Sequence, residues 1–309
     1  SNGLTARRGL TDIQQTENLL GSVCRAAGYD EIITYSFISP TYYDKIDLPK
    51  DSALRDSLKI LNPLGEDTSI MRTTTLPSML EILTRNYNFR NKSAKLYELG
   101  RVYFKRADGL ADEPKVLTLG AYGGMDFFAL KGAVETILAG LRIIGVTYVA
   151  ESGNPSYHPG RCAKVYCGET LLGTLGQIHP HVAGNYGVDA ELYAAELRFD
   201  ALYESKGAQP VYQPLPKFPA VTRDIAVVCD KAVTVGELED AIRKGAKGLL
   251  KDVALFDIYT GVGIAPGKKS VAFNLTLRSD DRSLTAEEAD ADVKSILTAL
   301  EQECGAVLR

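Results

Sequence analysis

The chain has 309 residues, length for about two domains that can each bury a core. Its 45% hydrophobic and 24% charged residues exclude a disordered or low-complexity chain, and a net charge of −4 excludes a nucleic-acid binder working by bulk charge. No apolar run approaches the ~20 residues a membrane span needs, and no signal peptide is visible, so a cytoplasmic location is expected.

Ser1-Asn2-Gly3, with no initiator Met, reads as a tag scar on a piece of a longer polypeptide. From Leu4 to Tyr203 the pattern is that of one α+β domain. Thr11 is placed to cap a helix running to Gly28, with Ile13, Leu19, Leu20 and Val23 on its apolar face. Ile32 to Phe37 reads as a strand. Leu58 to Leu61 leads into Asn62-Pro63-Leu64, and Pro77 sits in the first turn of a helix that points Met79, Leu80, Ile82 and Leu83 inward. Strands are expected at Lys95–Phe104 and Val116–Leu119, a helix from Asp126, a hairpin from Gly160–Tyr166 and Leu171–Ile178, and a closing element at Ala194–Leu202. Residues 204–217, with three prolines, read as a linker.

The stretch 218–309 alternates between the two periods. Arg223–Asp230 is a short apolar strand, Thr234–Lys247 a helix, Leu249–Tyr259 a strand, and Val271–Arg278 a half-buried strand. Thr285 and Glu288 form a capping box before a helix with Val293, Ile296, Leu297 and Leu300 on one side. Gly305 ends it, and the last residues make a short strand. The order β-α-β-β-α-β is a ferredoxin-like sandwich with helices on one face of the sheet. Asp257 and Tyr259, two apart on a strand, point to the same face, where a carboxylate and a ring can hydrogen-bond and stack a planar ligand. A solvated Asp beside an edge-strand Tyr is the plainer alternative.

Little else carries chemistry. The five cysteines are scattered; Cys162 and Cys167 lack a second pair to complete a zinc site, and all five read as reduced thiols. His158, His179 and His181 read as loop or helix-capping residues, and Arg72, Arg101 and Arg161 as ion-pair partners. No metal site and no nucleophile–His arrangement is expected.

Five stretches of the last domain appear in register: Phe218–Ala226, Leu255–Gly261, Gly267–Ser270, Leu284–Glu288 and the terminal Gly305–Arg309. Together they resemble the anticodon-binding domain ending the bacterial phenylalanyl-tRNA synthetase beta subunit. Tyr35-Ser36-Phe37, Asn62-Pro63-Leu64, Met71-Arg72-Thr73, Glu98–Tyr103, Phe128–Gly132 and His158–Arg161 resemble that family's domain folded like a class II aminoacyl-tRNA synthetase catalytic domain. The resemblance covers nearly the whole chain. It implies an antiparallel sheet flanked by helices, followed by the ferredoxin-like domain.

An adenylating class II site needs arginines to fork onto ATP phosphates. No Arg-x-Glu pair follows Gly100–Tyr103, and Leu192–Arg198 lacks the glycines of the third class motif, so this fragment is expected to be non-catalytic and to hold no cofactor. What the resemblance implies for the holoenzyme is phenylalanine–tRNA ligation with ATP and magnesium, in a tetramer of two alpha and two beta chains. The implied partners are the alpha subunit, tRNA(Phe) and the second alpha–beta pair. Asn62, Pro63, Arg72 and Pro77 fall in the implied alpha interface. Tyr259 is the expected stacking platform, Asp257 an acceptor for a base edge, and Arg223, Lys268, Lys269 and Arg278 phosphate contacts. Two other readings stay open: an independent ATP-dependent ligase on the same fold, or an amino-acid-sensing interaction module.

Overall fold

The computed structural model describes residues 9–208 and 215–309, which form two compact units on either side of that break. The expected scar at residues 1–3, the following residues up to 8, and positions 209–214 of the expected linker lie outside the described residues.

In the first unit, α1 (Asp12–Ala26) starts where Thr11 and Gln14 satisfy each other's backbone N–H groups in a capping box. There follow β1 (Asp30–Glu31), β2 (Phe37–Ile38), α2 (Tyr42–Lys45) and β3 (Ile70–Met71). Next are α3 (Leu76–Asn88), β4 (Ala94–Arg101), β5 (Phe104–Lys105), β6 (Ala111–Asp112), β7 (Lys115–Tyr122) and α4 (Phe127–Gly140). The unit ends with β8 (Val146–Ala150), β9 (Tyr157–Cys167), β10 (Thr170–Ile178), α5 (Pro180–Asn185), β11 (Leu192–Arg198) and α6 (Phe199–Ser205).

Seven strands make one sheet in the order β1-β4-β7-β11-β10-β9-β8, antiparallel except for β1 against β4. Both faces are covered. Leu117, Leu119, Ala195 and Leu197 pack with α1, α4 and α6 on one side. Leu96, Tyr122, Leu192 and Ala194 pack with α3 and α5 on the other. At Gly120 the helix comes so close that an added Cβ would lie 2.5 Å from Cγ and Sδ of Met79.

Three expectations are corrected here. Ile32–Phe37 is not one strand: β1 and β2 belong to different sheets, and residues 32–36 between them are extended without a ladder. The reason is local. Beyond the Ile32 N–H bond to Tyr97 O (2.9 Å), the N–H of Thr34 is taken by the side chain of Glu98. The Lys95–Phe104 strand breaks after Arg101, and Phe104–Lys105 pairs in a separate hairpin with β6. Ala194–Leu202 turns from strand to helix at Phe199, and that helix extends through Ser205, past the expected start of the linker.

The second unit comprises β12 (Val221–Asp230), α7 (Val235–Gly245), β13 (Leu250–Tyr259), β14 (Lys268–Leu277), α8 (Ala286–Cys304) and β15 (Val307–Leu308). Its sheet runs β13-β14-β12-β15. Both helices begin with capping boxes, Thr234 with Glu237 and Thr285 with Glu288. Ile225, Val227, Val271, Phe273 and Leu275 bury one sheet face against Leu238, Ile242, Ile296 and Leu300. The two helices cross at Gly245, where a Cβ would sit 2.7 Å from that of Ala299. Among the described residues, neither helix of this unit lies on the sheet's other face.

Candidate nucleic-acid interface

Strand register assigns each side chain of the second unit to a face. Directly paired residues share a face, and Ile225 opposite Phe273 and Val253 opposite Leu275 mark the helix side. A bulge in β13 at Phe256 shifts the count, so Asp257 lies opposite Ala272 and Tyr259 opposite Ser270. Both therefore stand on the helix-free face. Ala226 and Ala272, also paired, form a low floor beside them.

Tyr259 is 37% exposed. Its hydroxyl donates to Val262 O (3.3 Å) in the turn after β13, and a Cβ on Gly261 would come 2.5 Å from that hydroxyl. The guanidinium of Arg309 lies 5.6 Å from the ring centroid. It reaches there because the Arg309 N–H bonds Ala226 O (2.9 Å), which carries the β15 side of the sheet onto the same face. The Asp257 carboxylate is exposed and has no hydrogen-bond or ion-pair partner among the described residues.

The expected phosphate contacts divide. Lys268 stands near Tyr259, on the same face, paired with Asp230 (2.9 Å). Arg223 is on the helix side, its Nε donating to Asp290 of α8 (2.9 Å); its neighbour Asp224 points the other way and accepts from Asn274 (2.7 Å). An Arg223–Asp224 ion pair is thus ruled out by the pleat. Lys269 also lies on the helix side and donates to Val233 O. Arg278 is at the far end of β14, about 27 Å of extended strand from Ser270, with Asp280 3.7 Å away. The structure brings together Asp257, Tyr259 and Lys268, adds Arg309, and leaves out Arg223, Lys269 and Arg278. Arg309 was visible in the sequence only as the last residue of a terminal motif; nothing local announces a contact with Tyr259.

The first unit treats its polar residues differently. Glu98, Thr118 and Glu196 form a row straight across β4, β7 and β11 on the α3 side. The segment Arg72–Thr75 lies along that row. Arg72, 1% exposed, donates to Glu98 (3.4 Å), Thr34 Oγ1 (2.6 Å) and Arg101 O (2.8 Å). Glu98 in turn accepts from the N–H (2.7 Å) and the hydroxyl of Thr34. Thr74 donates to Glu196 (2.6 Å), and the Thr75 hydroxyl meets that of Thr118 and donates to the Glu196 carboxylate (3.2 Å). Every charge here is already engaged, so this row does not fit ATP phosphates. Arg101, on the opposite face, is exposed and pairs with Glu113 (3.5 Å).

Burial divides the residues expected at the subunit contact. Arg72 and Pro77 are buried inside this unit, whereas Asn62 and Pro63 are exposed between Leu61 (95%) and Leu64 (103%). The extended segment before β2 alternates strictly, placing Ile33 (90%) and Tyr35 (82%) outward with Phe37. These three residues, with Ile82 of α3 and Phe89 at its C-cap, line a groove of about 920 Å³.

The remaining candidates have structural roles. His179 caps α5 through the His181 N–H (3.1 Å), His158 accepts from Gly160 N (3.0 Å), and His181 contacts Asp47 (2.6 Å). Arg161 binds Gln177 (2.6 Å) and Glu191 (3.2 Å). All five cysteines are free, and burial pushes the Cys24 and Cys162 thiols up to about 12, away from thiolate chemistry. No cluster of three potential metal ligands occurs among the described residues, and no described helix is long and apolar enough to cross a membrane.

Comparison with known proteins follows the same division. Residues 2–199 match the family described as "Phenylalanyl tRNA synthetase beta chain CLM domain", and residues 216–309 the "Ferredoxin-fold anticodon binding domain". The phenylalanine–tRNA ligase beta subunit of Clostridium acetobutylicum is 43% identical over 305 residues, covering 98% of this chain and 38% of the relative. That of Clostridium tetani is 43% identical over 310 residues, covering 100% of this chain and 39% of the relative. The chain thus spans about two-fifths of the length of these relatives. A crystal structure of pyrrolysyl-tRNA synthetase from Desulfitobacterium hafniense shares the fold, with a TM-score of 0.52 and 16% identity over 62% of this chain and 68% of that one. With both units matched in order and 43% identity across nearly its whole length, the chain belongs to the phenylalanine–tRNA ligase beta subunit family.

Proposed function

We propose that this chain is the assembly and tRNA-binding part of a phenylalanine–tRNA ligase, a cytoplasmic heterotetramer of two alpha and two beta chains that charges tRNA(Phe) using ATP and magnesium. The adenylating chemistry belongs to the alpha subunit. In this chain the corresponding sheet face is closed by Arg72–Thr75 and α3, whose polar groups are consumed internally. The outward residues Ile33, Tyr35 and Phe37, with the exposed loop at Asn62–Pro63, are the docking surface for alpha. Its apolar exposure exceeds what scattered surface residues need.

The observation that carries tRNA binding is the exposed ring of Tyr259 on the helix-free face of a unit matched by an anticodon-binding family. An unpaired anticodon base stacks on that ring, Asp257 accepts from its edge, and Lys268 with Arg309 faces the backbone. Titration with tRNA(Phe) and with an anticodon-changed version, at one fixed low salt, tests the reading. Preference for the native anticodon that Tyr259→Ala abolishes supports it; equal affinity for both tRNAs rejects anticodon reading by this face.

A further inference from the structure

In the first unit, the stretch from Arg85 near the end of α3 to Lys95 in β4 gathers cations. Between Glu81 and Glu98 the sequence has Arg85, Arg90, Lys92 and Lys95 and no acid. Among the described residues none of the four makes an ion pair or a side-chain hydrogen bond, although most other cations of this unit's surface are paired within it. Arg90 and Lys92 line a cavity of about 650 Å³ together with Asn88, Asn91, Gly123 and Gly124.

The cavity is preformed. Arg90 N–H bonds Tyr87 O (2.8 Å) and Asn91 N–H bonds Asn86 O (3.2 Å), closing the helix end, and Tyr122 OH donates to Asn91 O (2.9 Å) from the opposite wall. The walls touch at Gly123, where a Cβ would meet Lys92 O at 2.2 Å. Arg90 itself has φ 63°, the left-handed position past a helix end that glycine fills at lower energy by about 1 kcal/mol. The nearby acids are already used. Glu191, which also lines the cavity, is bonded by Tyr193 OH (2.6 Å) and Arg161, and Asp126 caps α4 through Ala129 N (2.7 Å).

A guanidinium, an ammonium and the Asn88 amide around a cavity match the oxygens of a phosphate, while the Asn91 amide already donates to Asn86 (2.8 Å). We propose that this cavity binds a phosphate group of an RNA backbone, making the first unit a sequence-independent RNA contact. RNA as the source of the phosphate rests on the tRNA-binding reading above, whereas the phosphate chemistry does not.

The test is the salt dependence of tRNA binding by the full chain, compared between the unsubstituted protein and the double variant Arg90→Gln, Lys92→Gln. Loss of two phosphate contacts lowers the slope of log K against log salt by about 1.4–1.8. The native-to-changed anticodon preference and the melting temperature stay as they were, since neither side chain has a protein partner. Tyr259→Ala should do the reverse, altering preference and retaining the slope, so the two readings can fail separately. An unchanged slope and affinity in a folded double variant overturns the proposal, as does absence of tRNA binding by the unsubstituted chain. A parallel titration with inorganic phosphate separates the sources. Phosphate binding that depends on Arg90, with tRNA binding indifferent to it, assigns the cavity to a small phosphate compound and removes the RNA contact. Loss of association with alpha, with both titrations unchanged, overturns it in favour of an acidic protein partner.

Discussion

Each unit lays a row of polar residues across one face of its sheet, and the two rows have opposite fates. In the first unit Glu98, Thr118 and Glu196 are roofed by Arg72–Thr75 and sealed by α3, so their hydrogen bonds hold the chain to itself. In the second, Asp257, Tyr259 and Arg309 stand on the face opposite α7 and α8, and Asp257 has no partner among the described residues. The same kinds of side chain are structural when a segment of the chain covers them and available when none does. The comparison separates a scaffold that has closed its cleft from a surface that has stayed open.

The sharpest way to break the comparison is to open the closed row. Glu98→Ala leaves Arg72 buried and unpaired, and is expected to destabilise the first unit by about 3–5 kcal/mol. Chemical denaturation followed by a probe in that unit checks this; a change under 1 kcal/mol means the row is not what holds Arg72–Thr75 down. On the open row the same kind of truncation should act on binding. Tyr259→Ala is expected to weaken tRNA(Phe) binding by about 1–3 kcal/mol, with little loss of thermal stability because the ring is part-exposed. A large drop in melting temperature instead would place Tyr259 with the structural residues.

Smaller effects test whether the open unit's order depends on its helix side. Thr234→Ala removes the capping oxygen that accepts from Glu237 N (3.2 Å) and is expected to cost about 1 kcal/mol, read as an earlier unfolding of the second unit. The smallest effect is one of pH. Bonded first by Arg282 and then by the Thr285 N–H, the Glu288 carboxyl is held down at about 2, below its ordinary 4.5. A depressed carboxyl contributes its stabilisation in full above the unfolded value and loses it as pH falls toward the folded one. The melting-temperature gap between the chain and Glu288→Gln should therefore be constant above about pH 5 and shrink steadily toward pH 2. A gap that widens in acid contradicts the assignment.

Much of this was legible in the chain. The capping box at Thr285, the alternation of Val271–Leu277 and the terminal strand after Gly305 are local signals, and the second unit follows them. The face shared by Asp257 and Tyr259 follows from their spacing, although β13 carries a bulge at Phe256 that a plain count does not foresee. Other parts were hidden because their causes are distant in sequence. Ile32–Phe37 has strand composition but ends up outside the main sheet, since a carboxylate 64 residues away takes the Thr34 N–H. Arg72 read as an ion-pair partner, but no local pattern names Glu98, 26 residues on, as the carboxylate it meets inside the unit.

What the sequence determined by itself was the element order of the second unit, the caps at Thr11 and Thr285 and the face shared by Asp257 and Tyr259, because these depend on hydrogen bonds and side-chain periods within a few residues. Which face is covered was decided only by tertiary structure. α3 closes over the first sheet because Gly120 admits Met79, while β15 brings Arg309 to Tyr259 across three strands. Burial, and with it the difference between a held charge and a free one, depends on which distant segments meet.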